Sequence, residues 1–209
     1  MNGSTIGQVI GGCLIAIDGI DGAGKTTQAS RLCRDLASAG LDVVASREPT
    51  AGPAGQKIRS LAESGLRATP EEELRLFQED REQHVGSLVV PALQAGKCVV
   101  LDRYFLSTVA YQGARGLDHV ALLAECEVRF PIPNLAVFLD VDAEVGVHRV
   151  EARGKVVAVF ERVELLREVA KVFRGVERPY VARVDGHDSE DEVASAIEQC
   201  VSERLQLLG

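Results

Sequence analysis

A chain of 209 residues, 46% hydrophobic and 26% charged, is long enough for one domain with a sizeable core and has an ordinary globular composition. Its formal net charge of −8 argues against nucleic acid as a partner, since a polyanion is usually met by a basic surface, so any phosphate-bearing ligand needs a local positive pocket. No apolar run reaches the ~18 residues of a membrane span, and the scattered Cys13, Cys33, Cys98, Cys126 and Cys200 suit reduced thiols in the cytoplasm better than disulfides or zinc.

The opening stretch MNGSTIGQVIGG lacks the basic end and apolar centre of a signal peptide. It is expected to be a flexible tail over residues 1–12, ahead of a single domain over 13–209. CLIAID (13–18) then reads as a buried strand, followed by a helix over about 24–39. LDVVAS (41–46) is a second strand. A long helix over 70–95 announces its start with Thr69 as cap, Pro70 at the first helical position and Glu72 completing a capping box. KCVVLD (97–102) is a third strand, and a helical stretch over 104–128 breaks near Gly113–Gly116. LAVFLD (135–140) is a fourth strand, and YVARVD (180–185) a weaker fifth. Helices over 142–153, 161–174 and 189–207 fill the remainder. Compact β-branched runs buried on both faces, alternating with amphipathic helices, imply an α/β fold with a parallel sheet and ligands at the carboxyl ends of its strands.

One motif sits where that fold puts its ligands. Gly19-Ile-Asp-Gly-Ala-Gly24-Lys25-Thr26 matches G-x-x-x-x-G-K-[ST] and lies between a buried strand and an amphipathic helix. Glycines let successive N–H groups wrap around phosphate oxygens, and the helix start adds donors and the positive end of its dipole. The loop through Gly19, Asp21, Gly22, Ala23 and Gly24 to Lys25, Thr26 and Thr27 is therefore the expected ATP site. Lys25 is placed to reach the β- and γ-phosphates, and the Thr26 hydroxyl to ligate Mg2+.

Asp102 closes the third strand. It is either a helix cap or, beside a P-loop, the second anchor of the magnesium shell. Arg103, Ser107 and Tyr111 follow at four-residue spacing and share a face suited to a second phosphate-bearing ligand. In the long helix, Phe77, Arg81 and Leu88 share another face. Arg81 is then either salt-bridged to a neighbouring helix or part of a base pocket, with Phe77 stacking and Arg81 donating to a ring carbonyl.

Taken together, GIDGAGKTTQ, REPT (47–50), IR (58–59), LFQEDREQH (76–84) and DRYFLSTVAYQG (102–113) resemble, in order and spacing, the bacterial and archaeal thymidylate kinases. The resemblance runs from about Leu14 through the C-terminal helix. It implies a five-stranded P-loop nucleoside monophosphate kinase fold with a mobile lid, usually homodimeric. The implied reaction is transfer of the γ-phosphate of ATP to dTMP, giving dTDP with Mg2+. It also assigns roles. Asp21 would lie near the dTMP phosphate, which Arg59 and Arg103 would grip. Glu48 and Pro49 would border the nucleoside pocket, Phe77 would stack on thymine and Arg81 would bond its O4. Ser107 and Gln112 would contact the base, and Tyr111 would lie beneath the sugar, where a ribose 2′-hydroxyl clashes.

The expected lid, about 149–160, departs from the family pattern. It offers Arg149 for the adenine, Arg153 as the catalytic charge on the phosphoryl group in transit, and Lys155, but has Ala158 and Val159 at positions usually acidic and basic. Two other readings are a phosphotransferase acting on another nucleotide or deoxynucleoside, and a nucleotide-binding regulator with little turnover.

Overall fold

The computed structural model describes residues 11–64, 68–152 and 159–205. In chain order these form β1 (Cys13–Gly19), α1 (Lys25–Ser38), β2 (Val43–Arg47), α2 (Pro53–Ser64) and α3 (Pro70–His84). A short π-helical segment, Val85–Val89, leads into α4 (Val90–Gln94), β3 (Cys98–Asp102), α5 (Phe105–Gly113) and α6 (His119–Arg129). The chain ends with β4 (Leu135–Asp140), α7 (Ala143–Glu151), α8 (Val159–Arg174), β5 (Val181–Asp185) and α9 (Glu190–Leu205). The expected tail lies outside the described residues over 1–10, as does the expected lid over 153–158, which includes Arg153 and Lys155.

All five strands are parallel, in the order β2-β3-β1-β4-β5. Every residue of β3 and β4 is buried, and in β1 every residue after Cys13. The expectation of burial on both faces fails for β2 and β5. These are the edge strands, with one neighbour each, and their side chains alternate between covered and exposed. The core is the central β1, β3 and β4 with the inward faces of α1, α5, α8 and α9, including Ile15, Ile17, Val99, Leu101, Phe105, Val137, Leu139, Val169 and Ile197. The chain runs to one side of β1 for β2 and β3, then crosses to the other for β4 and β5. That reversal opens a crevice at the carboxyl ends of β1 and β3.

Two helical features depart from the expectation. α2 has no counterpart among the helices read from the sequence. Pro53 occupies its first position, where its missing N–H costs no hydrogen bond. The helix over 70–95 begins as expected, with Thr69 Oγ1 accepting from the Glu72 N–H at 3.2 Å and Glu72 Oε2 accepting from the Thr69 N–H at 3.0 Å. It then loosens to a π-turn. Pro91 has no N–H to offer the Ser87 carbonyl, and the Val90 N–H bonds five residues back to the Val85 carbonyl.

Candidate active site

The phosphate loop is built locally. Gly24 caps α1 with φ 94°, a left-handed conformation that a side chain would strain. Gly22, at φ 83°, faces the backbone of α7, where an added Cβ would come within 2.1 Å of the Gly146 carbonyl. Loop and helix therefore touch backbone to backbone. Lys25 is buried and donates to the Ile20 carbonyl at 2.6 Å. The Thr26 hydroxyl donates to Asp102 Oδ2 at 2.5 Å, which joins the start of α1 to the end of β3. The other oxygen, Asp102 Oδ1, is buried with no hydrogen-bond partner.

That pair fits Mg2+. A hydroxyl and one carboxylate with a spare oxygen suit an ion that keeps most of its waters and takes its other ligands from phosphates. Thr26 and Asp102 would hold it, and it would neutralise the polyphosphate charge. Among the described residues no group of three or more His, Cys, Asp or Glu forms a cage of its own.

A cavity of about 410 Å³ opens beside the loop. Eleven of the anticipated residues line it: Asp21, Gly22, Gly24, Lys25, Thr26, Thr27, Glu48, Pro49, Arg59, Asp102 and Arg103. Arg47, Val150 and Arg162 line it too and were not anticipated. Arg103 has φ 73°, rare for a residue with a side chain and found where a site demands it. Its guanidinium pairs with Asp21, reaches Ser107 Oγ at 3.3 Å and lies 5.3 Å from the Tyr111 ring centroid. Arg103, Ser107 and Tyr111 thus meet in space, although Arg103 precedes α5 with a left-handed backbone and so does not share the helical face its four-residue spacing suggests. From α8, Arg162 Nη2 donates to the second oxygen of Asp21 at 2.8 Å. Arg59 is held by the Pro49 carbonyl at 3.1 Å, and the Glu48–Pro49 peptide is cis.

Behind this cavity lies a dry polar network. Arg81 is 1% exposed. It donates to Glu48 Oε2 from Nε at 2.8 Å and Nη2 at 2.7 Å, and to Thr108 Oγ1 at 2.7 Å. His84 Nδ1 meets the other Glu48 oxygen at 3.1 Å. Of the two alternatives for Arg81, an ion pair is therefore present, but its partner is not on a neighbouring helix: it is Glu48, just after β2. One donor, Arg81 Nη1, is still buried and unpartnered. Gln112 is also buried; its Nε2 donates to Glu73 Oε2 at 2.6 Å, and its Oε1 has no partner. Because a carboxylate only accepts, Glu73 fixes which end of that amide faces it. Phe77 is half-buried on α3. Arg149 lies apart from the cavity lining, with Nη1 on the Gly186 carbonyl at 2.9 Å.

Electrostatics divide the charges. Burial, then repulsion from Arg103, lowers Lys25 from 10.5 to about 7, although Asp21, Asp102 and Asp18 pull the other way. Burial pushes the Asp21 carboxyl up, but Arg103, Lys25 and Arg162 outweigh it and hold the group below its ordinary value. Burial dominates at Asp18 and raises it, despite hydrogen bonds from Ser107 and Tyr104. Burial likewise raises the Tyr111 phenol, which stays protonated while accepting from the Asp21 N–H at 3.0 Å. Asp18 ends a buried run just as Asp102 does, so the same sequence sign pointed to it. Thr108 and Arg162 carried no such sign.

A glycine-rich loop between a buried strand and a helix, with a lysine, a hydroxyl and a strand-end carboxylate, defines a P-loop phosphotransferase of the nucleoside monophosphate kinase fold. Comparison with known proteins narrows this. The thymidylate kinase family model matches residues 17–197. The chain is 44% identical over 197 residues to "Thymidylate kinase" of Desulfotalea psychrophila, covering 94% of this chain and 97% of that protein. It is 46% identical over 183 residues to that of Xanthomonas oryzae pv. oryzae, covering 88% and 80%, and 42% over 194 residues to that of Akkermansia muciniphila, covering 93% of each. The chain belongs to the thymidylate kinase family.

Proposed function

We propose that this chain, acting as a single domain, transfers the γ-phosphoryl group of ATP to the phosphate of dTMP, giving dTDP and ADP. Family membership supports the reaction, and the site supports the division of labour. The loop Gly19–Thr27 cradles the polyphosphate, with Lys25 on its β- and γ-groups. Thr26 and Asp102 hold Mg2+. Arg59 and Arg103 grip the dTMP phosphate, close to Asp21. An acceptor that is already a phosphate oxygen needs no strong general base, so positioning and charge stabilisation carry the reaction.

The observation that carries base identity is the pair of buried, unpartnered atoms on α3 and α5. Arg81 Nη1 is a donor and Gln112 Oε1 an acceptor. Thymine presents the complementary pair, O4 as acceptor and N3–H as donor, whereas cytosine presents an amino donor at that place. Phe77 stacks on the ring, Glu48 and Pro49 wall it, and Thr108 joins Ser107 beside it. Tyr111, fixed by the Asp21 N–H, fills the space beneath C2′ and selects deoxyribose. Arg149 serves the adenine, and Arg153 the phosphoryl group in transit.

We further assign the protein to the cytoplasm, consistent with five free thiols, and to a homodimer, consistent with the exposed apolar Val120, Val128 and Ile132 on and beside α6. Among the described residues no helix is long and apolar enough to cross a membrane. A coupled ADP-release assay over a panel of nucleoside monophosphates tests the reading. Turnover with dTMP well above dCMP and ribothymidine monophosphate is expected; equal rates on dCMP and dTMP would remove the Arg81 role, and no turnover with any would leave a nucleotide-binding regulator.

A further inference from the structure

At the opposite end of the sheet, the fold brings together two thiols that are far apart in sequence. Cys13 opens β1, Cys98 opens β3, and the two are register partners on adjacent parallel strands. Partners in register project to the same face, on strands ~4.8 Å apart. That spacing lies within the ~4.4–6.8 Å between Cα atoms that a disulfide spans. The Cys13 N–H donates to the Lys97 carbonyl at 3.2 Å, which pins the register at this pair.

The Cys98 thiol beside it, followed by burial, holds Cys13 above the ordinary thiol value, and Cys13 in turn lowers Cys98. Cys98 is thus the sulfur that gives up its proton first, and Cys13 the donor beside it. Cys98 is buried whereas Cys13 is only partly covered, so a small oxidant reaches the pair from the β1 side. Cys33, on α1 and partly covered, is raised by burial and then by Cys98 nearby. Cys126 and Cys200 are not among the groups that act on this pair.

We propose that Cys13 and Cys98 are a modification site for hydrogen peroxide, forming a reversible intramolecular disulfide remote from the nucleotide site. The Cys98 thiolate attacks one peroxide oxygen and the O–O bond breaks. The other oxygen leaves as hydroxide and takes up a proton as water. The Cys13 sulfur then displaces hydroxide from the Cys98 sulfenic acid, and the Cys13 proton completes a second water. Two thiols and one hydrogen peroxide give one disulfide and two waters. The pair lies six residues from Gly19 along β1, about 20 Å at ~3.3 Å per residue. Oxidation therefore leaves the nucleotide loop in place.

The test is peptide mapping of the full chain after stoichiometric hydrogen peroxide, with remaining thiols alkylated and digestion done without reductant. A Cys13–Cys98 peptide pair lacking two hydrogens, lost on treatment with dithiothreitol, is expected in the wild type and in Cys33→Ser, and absent from Cys13→Ser. The Cys33→Ser arm leaves the strand pair untouched and reads the proposal even if a strand variant folds poorly. Linkage of Cys98 to Cys33, oxidation of either strand cysteine to the sulfinic acid without a link, or thiols unchanged in excess peroxide would each overturn it.

Discussion

The two halves of the site are built in different ways. The phosphate-binding part of the donor half is contiguous: one strand, one loop and one helix start supply Gly19 to Thr27, and Asp102 joins them from the end of β3. The acceptor half is assembled from β2, α3 and α5, through Glu48, Arg81, Thr108 and Gln112, which meet only when the sheet and helices are in place. The difference follows from what each half recognises. Phosphate is met by consecutive backbone N–H groups, which one short segment can supply. A base edge needs a donor and an acceptor at fixed separation, which side chains from several elements must hold. The donor half should therefore govern rate, and the acceptor half both selection and stability.

The largest effect is expected at Lys25. Lys25→Ala should keep the fold and lose ~10³-fold or more in kcat, comparable to losing a central charge on the transferring phosphoryl group. A circular dichroism melt beside the steady-state assay separates rate from folding, and near-wild-type turnover would end the phosphate-loop assignment.

Arg81 should show the opposite pattern. Arg81→Ala removes both donors from the buried Glu48 Oε2, leaving the carboxylate only His84, which should cost about 3–5 kcal/mol of stability. The double variant Arg81→Met, Glu48→Gln should recover much of that in a denaturant titration, yet bind dTMP no better than dCMP by calorimetry. If the double variant still prefers dTMP, the base edge is read elsewhere.

pH sharpens the donor half further. With Lys25 at about 7 in the free protein, its charge is lost as pH rises through that value. kcat/KM for ATP, which reports the free enzyme, should fall above pH 7 by up to about tenfold per unit. kcat should hold to higher pH, because bound polyphosphate restores the proton. A kcat/KM profile flat to pH 9 would show that Lys25 stays charged without ligand.

Smaller effects mark the periphery. Arg162→Ala removes one of the two arginines on Asp21 from a partly exposed position and should raise KM for dTMP by ~3–10-fold, a loss near 1 kcal/mol. Lys at this position should restore most of it.

The same contrast explains what the sequence made legible. The P-loop, the capping box at Thr69 and Glu72, and the five strand cores are written in adjacent residues, and their physics is local. α2 is less legible, because Gly52, Pro53 and Gly55 share their chemistry between loops and helix starts. Arg81 could be recognised as an oddity on an apolar face, but its partner Glu48 lies 33 residues earlier in the chain. Arg162 meets Asp21 across 141 residues, and nothing in its own neighbourhood marks it. Arg149 has no acidic residue three or four positions away in the sequence. In the structure Arg149 holds the Gly186 carbonyl, an acceptor that no side-chain pattern reveals.

The most direct test of this division is the ratio of kcat/KM for dTMP over dCMP, measured in the wild type and in Lys25→Arg. This substitution keeps a charge in the phosphate loop but alters its reach, so a residual rate stays measurable. Turnover should fall sharply with both nucleotides while the ratio stays within about threefold, a change below ~0.7 kcal/mol. A ratio that collapses with the rate would contradict the account, because base selection would then depend on the phosphate loop rather than on Arg81 and Gln112.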